Sequence, residues 1–292
     1  MIVRIERMSA AMQAIKEGDL GVRVPGYTKD ELGMLARDLN QMVAHLQESI
    51  VREQQAESMK NSIITNISHD LRTPLTSMMG YMELAQAHLR QNIDACERYV
   101  SISQRKGLEL KQQIDELLEY CHLTFSGIKL NLETIAVKPL IQQVLIDFVP
   151  QLEEAGMSLD LKDQTGGGIY TEADVRLLIR LLQNVINNGI FYGRKGGKLT
   201  IRMDKTDTDA MIHIINYGDP IAKEDLPFIF ERLYRGDKSR STNGGGKGMG
   251  LAIAKSIVEL HHGSIIVASD ARETSFTCIL PLYEGATRLC EL

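Results

Sequence analysis

Apolar residues recur every three or four positions from Ile63 through Ile67, Leu71, Leu75, Met78, Met82 and Ala85 to Leu89. A strand cannot use that spacing, whereas a helix turns it into one lengthwise stripe. A second stretch repeats it at Leu110, Ile114, Leu117 and Cys121, and the polar break QNIDAC between the two predicts an antiparallel helical hairpin. One hairpin cannot bury stripes this long on both of its helices. Two hairpins paired into a four-helix bundle can, and a symmetric dimer is the commonest way for a single chain to supply them.

Near residue 125 the pattern changes. From about Lys129 onward, short β-like runs (KLTIRM, AMIHIIN, GSIIVAS, SFTCILPL) alternate with helical stretches such as ADVRLLIRLLQNVINNGI. This predicts a mixed α/β domain of roughly 150 residues. The segment from Tyr234 to Gly250 is rich in Gly, Ser, Lys and Arg and reads as a loop.

With 292 residues, 43% hydrophobic and 24% charged, the chain has room for two or three soluble globular domains. The formal net charge is -5 with both signs interspersed, which argues against broad nucleic-acid binding. No run reaches the 18 or more apolar residues of a membrane span, and MIVRIERMSA lacks a signal peptide's apolar segment. Cys96, Cys121, Cys278 and Cys290 are far apart with no metal-ligand spacing, so neither a disulfide nor a structural zinc is expected.

Within the first stripe lies ISHDLRTPLTS. His69 is two positions from both Ile67 and Leu71, about 200° around a helix from each, so it is predicted to face away from the seam. Thr73 lies one turn further on that side, and Asp70 is three residues from Thr73. Pro74 has no N–H for the Asp70 carbonyl and crowds the preceding turn, which predicts a loosened or bent helix beneath the patch. An imidazole attacks through one ring nitrogen while a carboxylate takes the proton of the other. By itself, however, an exposed helical histidine beside an acid is ordinary solvated surface.

HDLRTPLTS resembles the phosphoacceptor motif of two-component sensor histidine kinases, H-[ED]-L-[RK]-T-P-L. The resemblance implies that His69 accepts a phosphoryl group, that Asp70 is its general base, and that Thr73 helps hold a water in a reverse phosphatase reaction.

Three pieces of the second half carry a nucleotide reading. In GGGKGMGLAIAKSIVELHHG, glycines at 246, 248 and 250 precede a helical pattern, an arrangement in which amides and a helix N-terminus hold an anion. It is neither a Walker loop nor a dinucleotide fingerprint. In QNVINNGIFYG, Asn184 and Asn188 share a helix face, and an amide oxygen is a hard ligand suited to Mg²⁺. INYGDPI ends a strand in Asn216, Gly218 and Asp219. Each piece alone also reads as a loop, a solvated face or a turn.

In this order the pieces resemble the ATP-binding lobe shared by histidine kinases, DNA gyrase and the mismatch-repair protein MutL, over nearly everything from Lys129 to Pro281. That resemblance implies that Asn188 holds Mg²⁺ and Asn184 supports the phosphates. It puts Asn216 and Gly218 at the adenine and Phe230, Arg232, Tyr234 and Arg235 in a lid motif, FERLYRGD. Gly246, Gly248 and Gly250 cradle phosphate, and Thr274 with Ser275 closes the adenine side. Tyr192, Ile221, Lys247 and Leu251 complete the implied nucleotide contacts. The hydrolysing clamps of that superfamily have a glutamate where this chain has Asn184, and a neutral amide cannot take a proton from water.

The chain also departs from the family. Asn216 stands where an Asp usually meets the adenine amino group, accepting without charge and so predicting lower affinity. That variant resembles a subset that includes vancomycin-resistance-type and metal-sensing kinases. Phe191 stands where Lys, Arg or His is usual, Pro220, His262 and Glu273 where glycines are common, and Lys247 where a small hydroxyl is.

At the front, IERMSAAMQAIKEGDLGVRVPGYTKDELGMLARDLNQMVAHLQ resembles a HAMP linker, with Gly18 as a helix stop and Asp30 with Glu31 as a helix start. HAMP units follow a transmembrane helix, which implies the cytoplasmic portion of a bacterial membrane receptor, attached through an upstream span.

The expected fold is therefore multidomain: an all-α N-terminal half, with HAMP-like helices and a dimeric four-helix bundle, followed by an α/β-sandwich ATP-binding domain of the GHKL type. Residues 1–52 form the linker, 53–127 the dimerisation and phosphotransfer hairpin, 128–285 the ATP lobe and 286–292 a tail. The expected activity is ATP-dependent autophosphorylation of His69 in a homodimer, with transfer to an aspartate of a response regulator. A clamp-type ATPase and a non-catalytic scaffold with a degenerate ATP lobe are the alternatives.

Overall fold

The structure is a computed structural model that describes residues 2–24, 30–89, 92–125, 128–166, 168–232, 234 and 248–283; the side chains of 2–4, 52–53 and 55–70 lie outside that description. The chain divides into two compact units, Met1–Leu110 and Lys111–Leu292.

The first unit opens with helix α1 (Ile2–Lys16), followed by a connector and the long helix α2 (Glu31–His88). Gly18 ends α1 as expected, with φ +98°, a left-handed conformation that glycine adopts at no steric cost. The Asp30 side chain caps α2 by accepting from Gly33 N at 2.9 Å. Met8, Ala11, Val24 and Ala36 form a small buried core, with Ile15, Val22, Leu32 and Leu39 packed against it. The connector is held there by one side chain, since Asn40 accepts from Val24 N at 2.8 Å and donates to Val24 O at 2.9 Å. An extended segment has no helical partner for these groups, and the amide supplies both hydrogen bonds at once.

Helix α3 runs over Ile93–Phe125, so Ile93 to Cys96 belong to the helix and not to the turn expected at QNIDAC. The Asn92 side chain begins α3 by accepting from Ala95 N at 3.0 Å. Where α2 meets α3, Tyr81 stacks on Tyr99 with centroids 6.2 Å apart, and the Ser103 hydroxyl donates to Met78 O at 3.2 Å.

The expected seam splits in two. Ala85 is buried and Met78 half-buried, whereas Leu75, Met82 and Leu89 are 43%, 45% and 62% exposed. At about 100° per residue, the mixture of three- and four-residue steps puts Met82 about 60° and Leu75 about 80° around the helix from Ala85. The stripe is thus wider than one neighbouring helix covers. Ile63 and Ile67 carry side chains outside the described residues.

The second unit contains the end of α3 and the α/β lobe. Strands β1 (Glu133–Ala136) and β3 (Tyr170–Ala173) form an antiparallel pair. The main sheet has the order β2-β4-β5-β7-β6, where β2 is Ser158–Asp163, β4 Lys198–Lys205, β5 Asp209–Asn216, β6 Ser264–Ser269 and β7 Thr274–Pro281. β2 runs parallel to β4, and the other pairs are antiparallel. The four runs singled out in the sequence are β4 to β7.

Helices α4 (Val137–Ile146), α6 (Val175–Gly193) and α7 (Gly250–Leu260) are the long helices of the lobe, with short α5 (Val149–Glu154) between α4 and β2. Leu178, Leu181, Leu182, Val185 and Ile186 of α6 are fully buried with Leu199 and Ile201 of β4 and Ile212 and Ile214 of β5. Burying each such side chain contributes about 1.5–3 kcal/mol. This fixes the rotation of α6, and so which of its residues can face a ligand. Cys278 lies within this core, where burial pushes its thiol up to about 12; Cys96 and Cys121 are half-buried free thiols.

Candidate functional site

Two groups of chemistry-bearing residues emerge, one in each unit. In the first, the backbone of α2 is helical across residues 61–88 and passes through Pro74 without interruption. Positions 69, 70 and 73 fall within little more than one helical turn. Arg72 and Thr73 are exposed and Pro74 is half-buried. The expected outward direction of His69 and Asp70 lies outside the described side chains.

In the second unit the α6 core face is apolar, and Asn184 and Asn188, four residues apart, are both half-buried beside it. Gly250, the first residue of α7, comes so close that a Cβ there would lie 3.2 Å from Asn184 Oδ1. Asn184 Nδ2 is buried without a hydrogen-bond partner. Gly248 has φ +80°, and Met249, the residue before α7, makes no side-chain cap, so among the described residues no side chain caps the first amide groups of α7, which suit an incoming acceptor. Leu251 is half-buried in the first turn of α7.

Asn216 closes β5 opposite Thr274 of β7, and the two are each only 2% exposed. The Asn216 Oδ1 is buried with no partner. A buried acceptor left unpaired costs about 1–3 kcal/mol, so it marks a place where a ligand donor fits. Two glycines allow this arrangement. A Cβ at Gly193 would stand 2.8 Å from Asn216 Cβ, and one at Gly218 would lie 1.8 Å from the Tyr192 carbonyl oxygen. Tyr192 itself is 40% exposed, with its ring edge-on to Phe191 at 4.9 Å between centroids.

Sequence reasoning missed Ser269. Its hydroxyl accepts from Ile221 N at 2.9 Å and shares a 2.7 Å hydrogen bond with Thr274 Oγ1, tying the loop after Gly218 to the ends of β6 and β7. No local pattern marks it, because its role comes from β-strand register. Gly193, the last residue of QNVINNGIFYG, likewise has no local sequence signal for its role.

The residues expected to form a lid have separate partners. The Phe230 ring sits edge-on to Phe276 at 6.3 Å, and the Tyr234 hydroxyl donates to Asp225 at 2.6 Å. The Arg232 guanidinium lies 5.2 Å from the centre of the Tyr120 ring at the end of α3. Arg235, Gly246 and Lys247 lie outside the described residues.

The site thus joins amide groups, the N–H groups that open α7, close-packed glycines and a buried orphan acceptor, a donor and acceptor set that fits a purine nucleoside triphosphate. Among the described residues, no group of three or more His, Cys, Asp or Glu is arranged for a metal. A cation here would depend on the amide oxygen of Asn188 together with phosphate oxygens.

Residues 173–284 match the family of histidine kinase-, DNA gyrase B- and HSP90-like ATPases, residues 1–48 the HAMP domain, and residues 59–123 the His Kinase A (phospho-acceptor) domain. Sensor protein VanSC of Enterococcus gallinarum is 29% identical over 276 residues, 94% of this chain and 74% of that protein. Sensor protein VanS of Enterococcus faecium is 32% identical over 254 residues, which are 86% of this chain and 65% of that protein. Among solved structures, histidine kinase ThkA in complex with response regulator protein TrrA has a TM-score of 0.64 at 21% identity, covering 81% of this chain and 66% of that one, a likeness of fold. With phosphoacceptor helices, a linker and an ATP-binding lobe all matched within one chain, the protein belongs to the sensor histidine kinases of two-component systems.

Proposed function

We propose that His69 is the phosphoacceptor and that the α6–α7 site presents the nucleotide. One imidazole nitrogen forms a bond to the γ-phosphorus of ATP while the bond from that phosphorus to the β–γ bridging oxygen breaks. ADP leaves, and Asp70 takes the proton from the other ring nitrogen. The phosphoryl group then passes to an aspartate of a response regulator. Thr73 positions a water for the reverse, phosphatase reaction. Asn184 and Gly250 hold the phosphates against the start of α7, Asn216 and Thr274 receive the adenine, and Arg232, Tyr234 and Arg235 belong to the lid. Asn188 would hold Mg²⁺, which supplies neutralisation of phosphate charge.

The observation that carries this reading is Asn184. The group packed against the first residue of α7 is an amide, not a carboxylate, so it orients phosphate but cannot activate water. That favours transfer to a side chain over hydrolysis.

The wide stripe on α2 supports a homodimer in which a second hairpin covers Leu75, Met82 and Leu89. We assign residues 1–52 to the linker, 53–127 to the phosphotransfer hairpin and 128–285 to the ATP lobe. Among the described residues no helix is long and apolar enough to cross a membrane. The HAMP match supports attachment to the cytoplasmic face through a preceding span.

Incubation with Mg²⁺ and γ-labelled ATP tests the reading. Acid-labile label on the protein that disappears in His69→Gln is the expected result. Phosphate release with no protein label would instead indicate a clamp-type ATPase, and neither signal a scaffold.

A further inference from the structure

We propose that Asn216 makes this site a reader of 6-oxopurine as well as 6-aminopurine nucleoside triphosphates, so that inosine and guanosine triphosphates bind alongside ATP. The inference rests on the nucleotide reading of the lobe given above. Asn216 is 2% exposed, sits in the β5–β7 ladder opposite Thr274, and is backed by Gly193, where a Cβ would come within 2.8 Å of its own Cβ. Its position is therefore fixed by packing. The orientation of its amide is not, because Oδ1 has no hydrogen-bond partner to hold it.

A primary amide carries an acceptor and two donors in one plane. In one orientation it accepts from a 6-amino group and donates to purine N1. Turned over, it donates to a 6-oxo group and accepts from the N1–H. A carboxylate offers acceptors only, and in the same place would set its lone pairs against those of a 6-oxo oxygen.

The rest of the described floor is equally unbiased. The Ser269 and Thr274 hydroxyls share their 2.7 Å hydrogen bond with either as donor, and Ser269 also takes Ile221 N at 2.9 Å. The carboxylate nearest in sequence, Asp219, is paired with Lys195 at an exposed position. Discrimination between purines arises when a buried group is left unpaired by the wrong base, and an invertible amide leaves neither base unpaired.

The test is calorimetric titration of the whole chain with ATP, inosine triphosphate and guanosine triphosphate. The expected dissociation constant for either 6-oxo nucleotide is within about tenfold of that for ATP, and Asn216→Asp should weaken both relative to ATP by about 100-fold. The proposal is overturned if both 6-oxo nucleotides bind wild type more than about tenfold more weakly than ATP, or if Asn216→Asp leaves the ratios unchanged. The wild-type comparison needs no variant, so it decides even if Asn216→Asp fails to fold. Binding of ATP alone overturns this inference only, whereas binding of none of the three overturns the nucleotide reading together with it.

Discussion

Arg180 of α6 grips Glu119 of α3 with two nitrogens: Nε donates to both carboxylate oxygens at 2.9 and 3.0 Å, and Nη2 donates to one of them at 2.6 Å. One residue on, the Tyr120 ring receives Arg232. The end of α3 is therefore bound to the lobe by two arginines, one in the core helix and one in the proposed lid. Both side chains of the ion pair remain partly exposed, at 36% and 27%, which moderates its worth. Glu119→Gln should destabilise the second unit by about 1 kcal/mol, with the coupling to Arg180 read from a double-mutant cycle in urea. A coupling near zero would mean the pair is incidental.

His262 is, among the described residues, the non-glycine residue with positive φ, at 58°. It follows α7, where His262 N donates to Glu259 O at 3.0 Å and Gly263 N to Val258 O at 2.9 Å, a helix ending that suits glycine. His262→Gly should therefore stabilise the chain by about 0.5–1 kcal/mol, and His262→Val should destabilise it by a similar amount. The urea midpoints of the two variants should move in opposite directions.

Gly218→Ala would place a methyl group 1.8 Å from the Tyr192 carbonyl oxygen, a clash that only backbone movement relieves. The loop that carries Ile221 must then shift away from α6. The expected result is at least a tenfold loss of ATP affinity with a cooperative melt retained, because the α6 core face is untouched. Unchanged affinity would remove Gly218 from the site.

Pro74 lies inside α2 and gives the Asp70 carbonyl no N–H. Pro74→Ala restores that donor and removes a local penalty of roughly 3 kcal/mol. If the weakened turn serves switching, the ratio of autophosphorylation to dephosphorylation of a cognate regulator should change in the variant. The same ratio alongside a raised melting temperature would show that the proline has no switching role.

Asp163 accepts from the Thr165 hydroxyl and amide at 2.6 and 3.1 Å and faces Lys138 at 3.0 Å. These donors hold its carboxyl down from 3.8 to about 2. A carboxylate depressed in the folded state stabilises fully above its unfolded value, and the contribution fades as pH falls from about 4 to 2. Asp163→Asn should cost about 1–2 kcal/mol at pH 7 and make unfolding less steep over that acid range, as followed by circular dichroism.

Periodicity sufficed for the class of each half. The three- and four-residue spacing of α2 and α3, and the β-rich composition of β4 to β7, are local properties that a chain must satisfy wherever it packs. The starts and stops at Asp30 and Gly18 are likewise local hydrogen-bonding and φ requirements. β2 escaped notice because an exposed edge strand, SLDLKD, carries little apolar signal. Residue types in the right order were equally enough to nominate Asn184, Asn188, Asn216 and the glycines. Only the tertiary structure decided which of these matter to one another. The buried, unpaired oxygen of Asn216, the support of Ser269 for Ile221, and the capture of Arg232 by Tyr120 all arise where residues distant in sequence meet through β-strand register and helix rotation. Those are set by burial of the α6 face against the sheet, a many-body packing constraint with no local signature.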